Sequence, residues 1–551
     1  MRIVIIGAVA AGTSAAAKAR RNNEQAEIVI YERDQFISYS GCGMPYYIGG
    51  MVESAQELTP RDPAFFLSKY NVKIKTRHEV LSVDPAAKSI VVSNLETGEV
   101  FCDSYDTLVL ATGASAVVPQ IDGADRDNVF TLRNIGDMNR IKAFLTEKSP
   151  KTAAIIGTGF IGLEVCENLN QLGITVTLIE RLPQVTPGLD ADMAVYVQQE
   201  LEKNGVTLHL GATVTAVTGD GITLADGTQI QADMVLVSAG VRPNTALAQA
   251  AGIQLGASGA IQVNEKMQTS IPDIFACGDC IEQVQLVTGK PLYRPLGSTA
   301  NKTGRIAGDA ITGGSLHFRG ILGTGIFRIF DMTVAQTGLS EREAKEQGYE
   351  VQVCHNIKPN KPDYMGGKEM VIKGIADKRD GRLLGVQIVG SEGVDKRIDV
   401  FVTAITFKAK AEDLFHLDLA YAPPFSTTKD PVMYTGMILD NAIAKGRPLI
   451  TPDELDALIQ SGEPYTLIDA RAEKQYDSAH IASAQSLPHA ALRAQVKKLD
   501  KNAVAVTYCN KGVTGNAAQN ILLNSGFLRV YNLSGGHKQY KKTQSKYSQQ
   551  A

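Results

Sequence analysis

Short, wholly apolar runs that end in glycine recur along this chain. Residues 3–6 (IVII) lead into GAVAAG, and residues 153–156 (AAII) lead into GTGFIG. A small-residue or amphipathic stretch follows each (13–20 and 163–172), then a second apolar run (28–31 and 176–179), then one acid, Glu32 or Glu180. Continuous apolar runs predict strands buried on both faces of a parallel sheet, and the glycines between run and stretch predict a strand-to-helix turn. Each unit reads as strand, turn, helix, strand, acid, and two of them predict two dinucleotide sites. Strand-like runs also stand at 107–113 (TLVLATG) and 234–244 (MVLVSAGVRPN). From about 320 to 446 the glycine-turn pattern stops, and runs such as 384–389 predict a separate α+β unit. Past a connector signal at 446–452 (GRPLITP), strands at 466–468, 504–507 and 528–532 and a helix at 515–524 predict a small α/β domain.

Composition narrows this picture. At 551 residues, three to four domains are expected from roughly 150 residues each. Glycine is abundant (51) beside 21 prolines and no tryptophan, which suits many tight turns rather than linker sequence. Lys and Arg (55) nearly balance Asp and Glu (58), so no basic field suggests a nucleic-acid partner. No run of 18 apolar residues predicts a membrane helix, and the early run at 3–12 lacks the features of a signal peptide. Seven cysteines, an odd number scattered over the chain, argue against a disulfide framework and predict a cytoplasmic setting. No residue is assigned to a metal.

The first glycine turn supplies Gly7 and Gly12, but its middle glycine is Val9, followed by Ala10 and Ala11. Glu32, with Arg33 beside it, is placed to accept hydrogen bonds from ribose hydroxyls. Residues 274–279 (IFACGD) end in Gly278 and Asp279, where an acid can meet a second polyol, and FAD is the expected occupant. The second turn is complete: Gly157, Gly159, Phe160, Ile161 and Gly162, with Glu180 after the next strand. A carboxylate there favours the free 2′-hydroxyl of NADH over the 2′-phosphate of NADPH, although Arg181 could relieve part of that repulsion.

Cys42 lies in SYSGCGMPYYIGG (38–50), between Gly41 and Gly43. A loop opening a helix would lower the thiol pKa through N–H groups and the helix dipole, whereas a packing cysteine would do nothing. No second cysteine lies within ten residues, so the oxidised form would be a mixed disulfide with a small thiol, a sulfenic acid or a persulfide. Cys277 and Cys280 form a C-x-x-C, but Gly278 and Asp279 inside it belong to the flavin motif. Cys102, Cys166 and Cys354 read as packing residues.

These motifs together resemble the single-cysteine branch of the pyridine nucleotide–disulfide oxidoreductases, and within it the coenzyme A disulfide reductases. The resemblance rests on GAVAAG, the loop of Ser38, Cys42, Pro45, Tyr46 and Tyr47, Ala111-Thr112-Gly113, the GxGxxG–Glu180 unit, residues 239–244 (AGVRPN, with Gly240), Cys277-Gly278-Asp279 and residues 420–426 (AYAPPFS). It implies an α/β chain with two Rossmann-like domains, FAD-binding at 1–120 and 247–320 and NAD(P)H-binding at 121–246, followed by an α+β dimerisation domain at 321–446. It also implies a homodimer whose protomers share active-site residues, with Tyr421 and Tyr364 as the tyrosines involved. Arg21, Ser38, Asn301 and Lys302 match coenzyme A-contacting positions, and Lys18, Arg20 and Arg21 are cations suited to its phosphates. Sister NADH oxidases and peroxidases carry a histidine in the first glycine loop, where this chain has Ala10 and Ala11.

Residues 451–545 resemble a rhodanese domain through 467–471 (LIDAR), 476–481 (YDSAHI) and 506–515 (VTYCNKGVTG). Cys509 would enter a loop whose N–H groups, from Asn510 to Thr514, stabilise a thiolate or persulfide. Asp469, Arg471 and His480 match the scaffold around that loop. Rhodanese loops often end in arginine, and Thr514 stands there instead. The expected activity is NADH- and FAD-dependent reduction of coenzyme A persulfide, polysulfide or disulfide through Cys42, with Cys509 carrying sulfane sulfur. Alternatives are a plain coenzyme A disulfide reductase with an accessory rhodanese domain, an NADH oxidase or peroxidase, and a non-catalytic C-terminal docking module.

Overall fold

The computed structural model describes residues 1–547, which form two bodies: 1–183 with 205–321, and 184–204 with the chain from 322 onward. In the first body, five parallel strands lie in the order Ile274–Ala276, Thr107–Leu110, Arg2–Ile6, Glu27–Tyr31, Val72–Lys75. A second parallel sheet runs Thr207–Leu210, Thr175–Glu180, Thr152–Ile156, Met234–Val237, Val129–Phe130. The central strands are apolar throughout because both faces are covered; Ile3, Val4 and Ile5 are fully buried, as are Ala154 and Ile155.

Each sheet repeats one local design. Gly7 turns out of its strand at φ 105° and Gly157 at φ 102°, conformations that L side chains resist. The helices Ala10–Asn22 and Phe160–Gln171 begin just beyond. A Cβ on Gly12 would collide with the Gly7 carbonyl, and one on Gly162 with the Gly157 carbonyl, so the third glycine lets the helix approach its own strand. The helix Gly297–Ala310 packs on Ala10–Asn22 just as closely: Cβ atoms on Gly304 and Gly308 would strike the carbonyls of Ala11 and Ala15. The strand-like stretch at 234–244 splits into Met234–Val237 and Val241–Pro243, the latter pairing with Ala114–Ala116 in a separate two-stranded ribbon.

The second body holds a five-stranded antiparallel sheet in the order Gly325–Ile329, Met332–Gly338, Leu383–Gly390, Glu369–Asp377, Val351–Pro359. The helix Pro431–Ile443 packs on it, Asn356 Nδ2 donating to the Pro431 carbonyl at 2.9 Å and to Thr435 Oγ1 at 3.0 Å. The last sheet is parallel, in the order Leu449–Ile450, Val530–Leu533, Val504–Tyr508, Tyr465–Asp469, Gln485–Ser486. Leu449 and Ile450, within the stretch read as a connector, are thus already an edge strand, hydrogen-bonded beside Val530–Leu533. The helix Val513–Asn524 begins two residues earlier than its sequence suggests because Gly512, at φ 101°, makes the turn. Among the described residues, no helix is long and apolar enough to cross a membrane.

Candidate functional site

The two acids at the strand ends are held in the same way. The backbone N–H of Ala8 donates to Glu32 Oε2 at 2.8 Å, and that of Thr158 donates to Glu180 Oε2 at 3.0 Å. The other oxygens accept from Asp34 N at 2.9 Å and Leu182 N at 3.0 Å, and Thr158 Oγ1 adds a bond at 2.8 Å to Glu180. Burial pushes the Glu32 carboxyl above its usual range, while these N–H bonds pull it back. Each carboxylate is oriented over its glycine turn before a ligand arrives. Gly159 tests whether a dinucleotide fits: its φ is an ordinary −72° and a Cβ there would meet nothing within 4 Å. No protein contact requires glycine, so the space over the turn suits a pyrophosphate, which the helix N-terminus favours.

Thr112, Ser115 and Asn244 are bonded together, and Arg133 links Asp279 to the Ala114 carbonyl beside them. Asn244 donates to the Thr112 carbonyl at 2.8 Å, Thr112 Oγ1 donates to the Asn244 carbonyl at 2.6 Å, and Ser115 Oγ donates to Asn244 Oδ1 at 2.7 Å. The Gly278 N–H donates to Thr303 Oγ1 at 3.1 Å, and a Cβ on Gly278 would lie 2.7 Å from the Ala11 Cβ. Asp279 is paired with Arg133 at 2.7 Å, a partner that no motif signalled. Cys277 and Cys280 are fully buried and burial raises both thiols, in keeping with a packing role for this C-x-x-C.

Cys42 sits in the tight turn Gly41–Gly43, just ahead of the helix Met44–Ile48. Its loop hangs from the first glycine turn, the Ser38 N–H donating to the Ala8 carbonyl at 2.9 Å. The thiol is accessible to solvent. Its pKa is nevertheless raised, first by the protein around it and then by the carboxylates of Glu164 and Asp279, with Arg133 opposing. The direction is opposite to the expected depression: burial costs the thiolate most, the carboxylates of Glu164 and Asp279 add to it, and the helix that follows Cys42 is only five residues long. Glu164, one turn into the helix Phe160–Gln171, was not singled out by any motif. Burial and the neighbouring Glu167 push its carboxyl up to about 7. The helix reaches the Cys42 loop closely enough that a Cβ on Gly49 would collide with Asn168.

The helix Ala10–Asn22 separates its cations by role. Arg20 is buried, donating to the carbonyls of Tyr70 at 2.7 Å, Glu24 at 2.6 Å and Asn71 at 2.9 Å, so it ties the chain together rather than waiting for a phosphate. Lys18 pairs with Asp309 at 2.9 Å. Arg21 is exposed over the Tyr70 ring at 5.6 Å; Lys69 lies 5.7 Å from that ring, and Arg61 lies 5.7 Å from the Phe65 ring. Arg61, Lys69 and Tyr70 escaped the motif reading, although basic residues interleaved with aromatics at 61–70 carry the signal. Asn301 accepts from Ser14 Oγ at 2.8 Å, and Lys302 is exposed beside it.

In the second body, Tyr364 (75% exposed) occupies the turn Asp363–Met365, and Tyr421 (49% exposed) lines a cavity of about 590 Å³ with Phe425, Lys361 and Glu392. Arg397 joins their two loops: it donates to the Asn360 carbonyl at 2.8 Å and pairs with Asp430 at 2.9 Å, and Asp430 accepts from Ser426 Oγ at 2.7 Å.

The strand Val504–Tyr508 delivers Cys509, 6% exposed, into a loop where the Gly512 N–H points at its sulfur at 3.2 Å. Arg471, clamped on Asp469, donates to Asn510 Oδ1 at 3.3 Å, and the His537 N–H donates to the Cys509 carbonyl at 2.8 Å. Asp469 and Arg471 therefore brace the loop. His480 stacks on Tyr476 at 3.9 Å.

Comparison with known families agrees with this geometry. The family description pyridine nucleotide-disulphide oxidoreductase matches residues 1–290, its dimerisation domain matches 326–431, and the rhodanese-like domain matches 451–543. A Methanocaldococcus jannaschii protein named NADH oxidase is 38% identical over 437 residues, 78% of this chain and 97% of its own. A Pyrococcus furiosus protein named NAD(P)H sulfur oxidoreductase (CoA-dependent) is 35% identical over 80% of this chain and 99% of its own. Among solved structures, reduced Bacillus anthracis CoADR-RHD is 37% identical with a TM-score of 0.96, covering 99% of this chain and 98% of its own. The NAD-dependent persulfide reductase of A. fulgidus is 35% identical with a TM-score of 0.90, covering 98% and 100%. The chain belongs to the pyridine nucleotide–disulphide oxidoreductases, a family that uses FAD and NAD(P)H, and it ends in a rhodanese-like domain.

Proposed function

We propose that this chain is an NADH- and FAD-dependent reductase of coenzyme A persulfide, polysulfide or disulfide, working as a homodimer. The observation that carries the reading is an accessible Cys42 with no neighbouring cysteine, hung through Ser38 from the Ala8 carbonyl of the first glycine turn. FAD, when bound, supplies two-electron transfer from nicotinamide to a disulfide. Glu32, Asp279 and the turn at Gly7–Gly12, with Ala111, Thr112 and Gly113, would hold it. Gly157, Gly159, Gly162 and Glu180 would hold NADH, with Phe160, Ile161 and Gly240 alongside.

The Cys42 thiolate attacks the inner sulfur of coenzyme A persulfide, giving a Cys42–coenzyme A disulfide and hydrosulfide. Reduction of that disulfide returns Cys42 and coenzyme A, so the sum is CoA–SSH + NADH → CoA–SH + HS⁻ + NAD⁺. Arg21, Arg61 and Lys69 offer cations to the coenzyme A phosphates, with Ser38, Asn301 and Lys302 as further contacts. Tyr421 and Tyr364, each lent by the other protomer, donate a proton to the departing thiolate. Cys509 takes sulfane sulfur from a persulfide, R–SSH + Cys509–S⁻ → R–SH + Cys509–SS⁻, and passes it towards Cys42.

The relative named NADH oxidase brings a second reading, but Ala10 and Ala11 occupy the place where the oxidase and peroxidase branches carry a histidine. Turnover of Cys509→Ser tests the proposal: it is expected to abolish polysulfide reduction and keep coenzyme A disulfide reduction. Full retention of both activities contradicts it.

A further inference from the structure

The loop that carries Cys509 is held from two sides. On one side stands the start of the helix Gly536–Tyr547: the His537 N–H donates to the Cys509 carbonyl at 2.8 Å, and the Lys538 N–H donates to the Asn510 carbonyl at 3.0 Å. On the other, Asn532 Nδ2 donates to the Gly512 carbonyl at 3.1 Å, while the Gly512 N–H points at the Cys509 sulfur at 3.2 Å. Lys511, between Asn510 and Gly512, is therefore fixed within the loop that wraps the thiol. Lys538 is fixed beside it through the Asn510 carbonyl.

Both ammonium groups go to one acid from a different domain. Lys511 ion-pairs with Glu369 Oε2 and Lys538 with Glu369 Oε1. Glu369 opens the strand Glu369–Asp377 of the antiparallel sheet, within the stretch that matches the dimerisation domain. The same sheet meets the C-terminal domain nearby, where the His355 N–H donates to Ser534 Oγ at 2.7 Å. Burial pushes the Glu369 carboxyl up, but the two ammonium groups outweigh it and hold the group below its usual range, so it is ionised at neutral pH. Lys511 and Lys538 stay 41% and 43% exposed, so a dissolved anion can reach them, and ion pairs this exposed exchange readily. Two cations set beside a nucleophilic sulfur are what a small anionic sulfur donor needs, and here an internal carboxylate already holds them both.

We propose that Glu369 is a specificity-determining residue of the Cys509 site: it competes for the cations through which a small sulfur oxyanion would bind. The site is thereby left to donors that do not depend on those cations, such as a persulfide bound through the rest of its molecule. The inference rests on the reading of Cys509 as a sulfur-accepting thiol. It makes the selectivity of the rhodanese-like domain a property of its docking on the dimerisation domain.

The first test is alkylation of Cys509 in the full-length, thiol-reduced protein with anionic iodoacetate and neutral iodoacetamide, resolved from Cys42 by peptide mass. Glu369→Gln is expected to raise the iodoacetate-to-iodoacetamide rate ratio about three- to fivefold, as removal of one nearby charge in a partly solvated site would. Lys511→Met is expected to lower it. An unchanged ratio in either variant, or equal acceleration of both reagents in Glu369→Gln, overturns the inference. The second test uses thiosulfate as donor, thiosulfate + Cys509–S⁻ → sulfite + Cys509–SS⁻, followed as one added sulfur by peptide mass. Because this donor is a dianion, Glu369→Gln is expected to load about tenfold faster than wild type. Loading at the wild-type rate overturns the inference. If Cys509 takes no sulfur from thiosulfate or from a persulfide in either protein while the alkylation ratio rises, the charge role of Glu369 stands and the sulfur-carrying reading alone fails.

Discussion

The guanidinium of Arg133 lies 2.7 Å from the carboxylate of Asp279, and its Nε donates to the Ala114 carbonyl at 2.8 Å. One side chain therefore fixes the acid proposed to meet the FAD polyol and the strand that follows Gly113. Arg133→Met is expected to weaken FAD retention about fivefold, since the pair is partly exposed and worth on the order of 1 kcal/mol. The flavin absorbance surviving gel filtration, against added FAD, measures it.

Glu180 is oriented by three donors from Thr158 and Leu182. Replacing it removes both a ribose acceptor and the repulsion of a 2′-phosphate. Glu180→Ala is expected to lower the NADH-to-NADPH ratio of kcat/KM at least about tenfold, a shift of roughly 1.4 kcal/mol. An unchanged ratio would place selectivity elsewhere.

Glu164 yields a pH prediction. Its folded carboxyl titrates near 7, against 4.5 for the free group, so between those values the native protein holds a proton that the unfolded chain has released. Stability therefore falls as pH rises from about 4.5 to 7 through this group. Glu164→Gln should stabilise the protein at pH 8 relative to wild type, and the gain should vanish near pH 4. Thermal melts at the two pH values check the sign. Loss of the Glu164 charge should also let Cys42 react with alkylating agents at lower pH.

Arg397 and Asp430 are both almost fully buried. Arg397→Met leaves Asp430 without its main partner and frees the loops that bear Tyr364 and Tyr421. A cost of about 3–5 kcal/mol is expected in urea unfolding. A cost below about 1 kcal/mol would mean that Asp430 finds compensation from Lys396 or Ser426.

Several features were legible in the sequence for definite reasons. The parallel sheets announce themselves because strands such as Arg2–Ile6 and Thr152–Ile156 are apolar on both faces, and glycines are obligatory where Gly7 and Gly157 adopt positive φ. The scaffold role of Asp469 and Arg471 was also legible, because they stand at fixed spacing in LIDAR. What the sequence hid depends on side chains meeting across distance. Arg133 reaches Asp279 from 146 positions away, and Glu164 reaches Cys42 only because its helix packs on the loop at Gly49. The direction of the Cys42 shift was hidden for the same reason: glycines and a coming helix are local, whereas the burial of the thiol and the carboxylates of Glu164 and Asp279 come from segments distant in the chain. The helix Ala191–Lys203 reads as an ordinary amphipathic segment, yet Asp192 is gripped by Lys373 at 2.8 Å and by His355 at 2.7 Å, residues over 160 positions away.

The most direct test of the central claim is the intact mass of the isolated protein before and after NADH. A coenzyme A adduct on Cys42 that NADH releases is the predicted result. A Cys42 that carries only sulfenic acid, with no coenzyme A, would contradict the account.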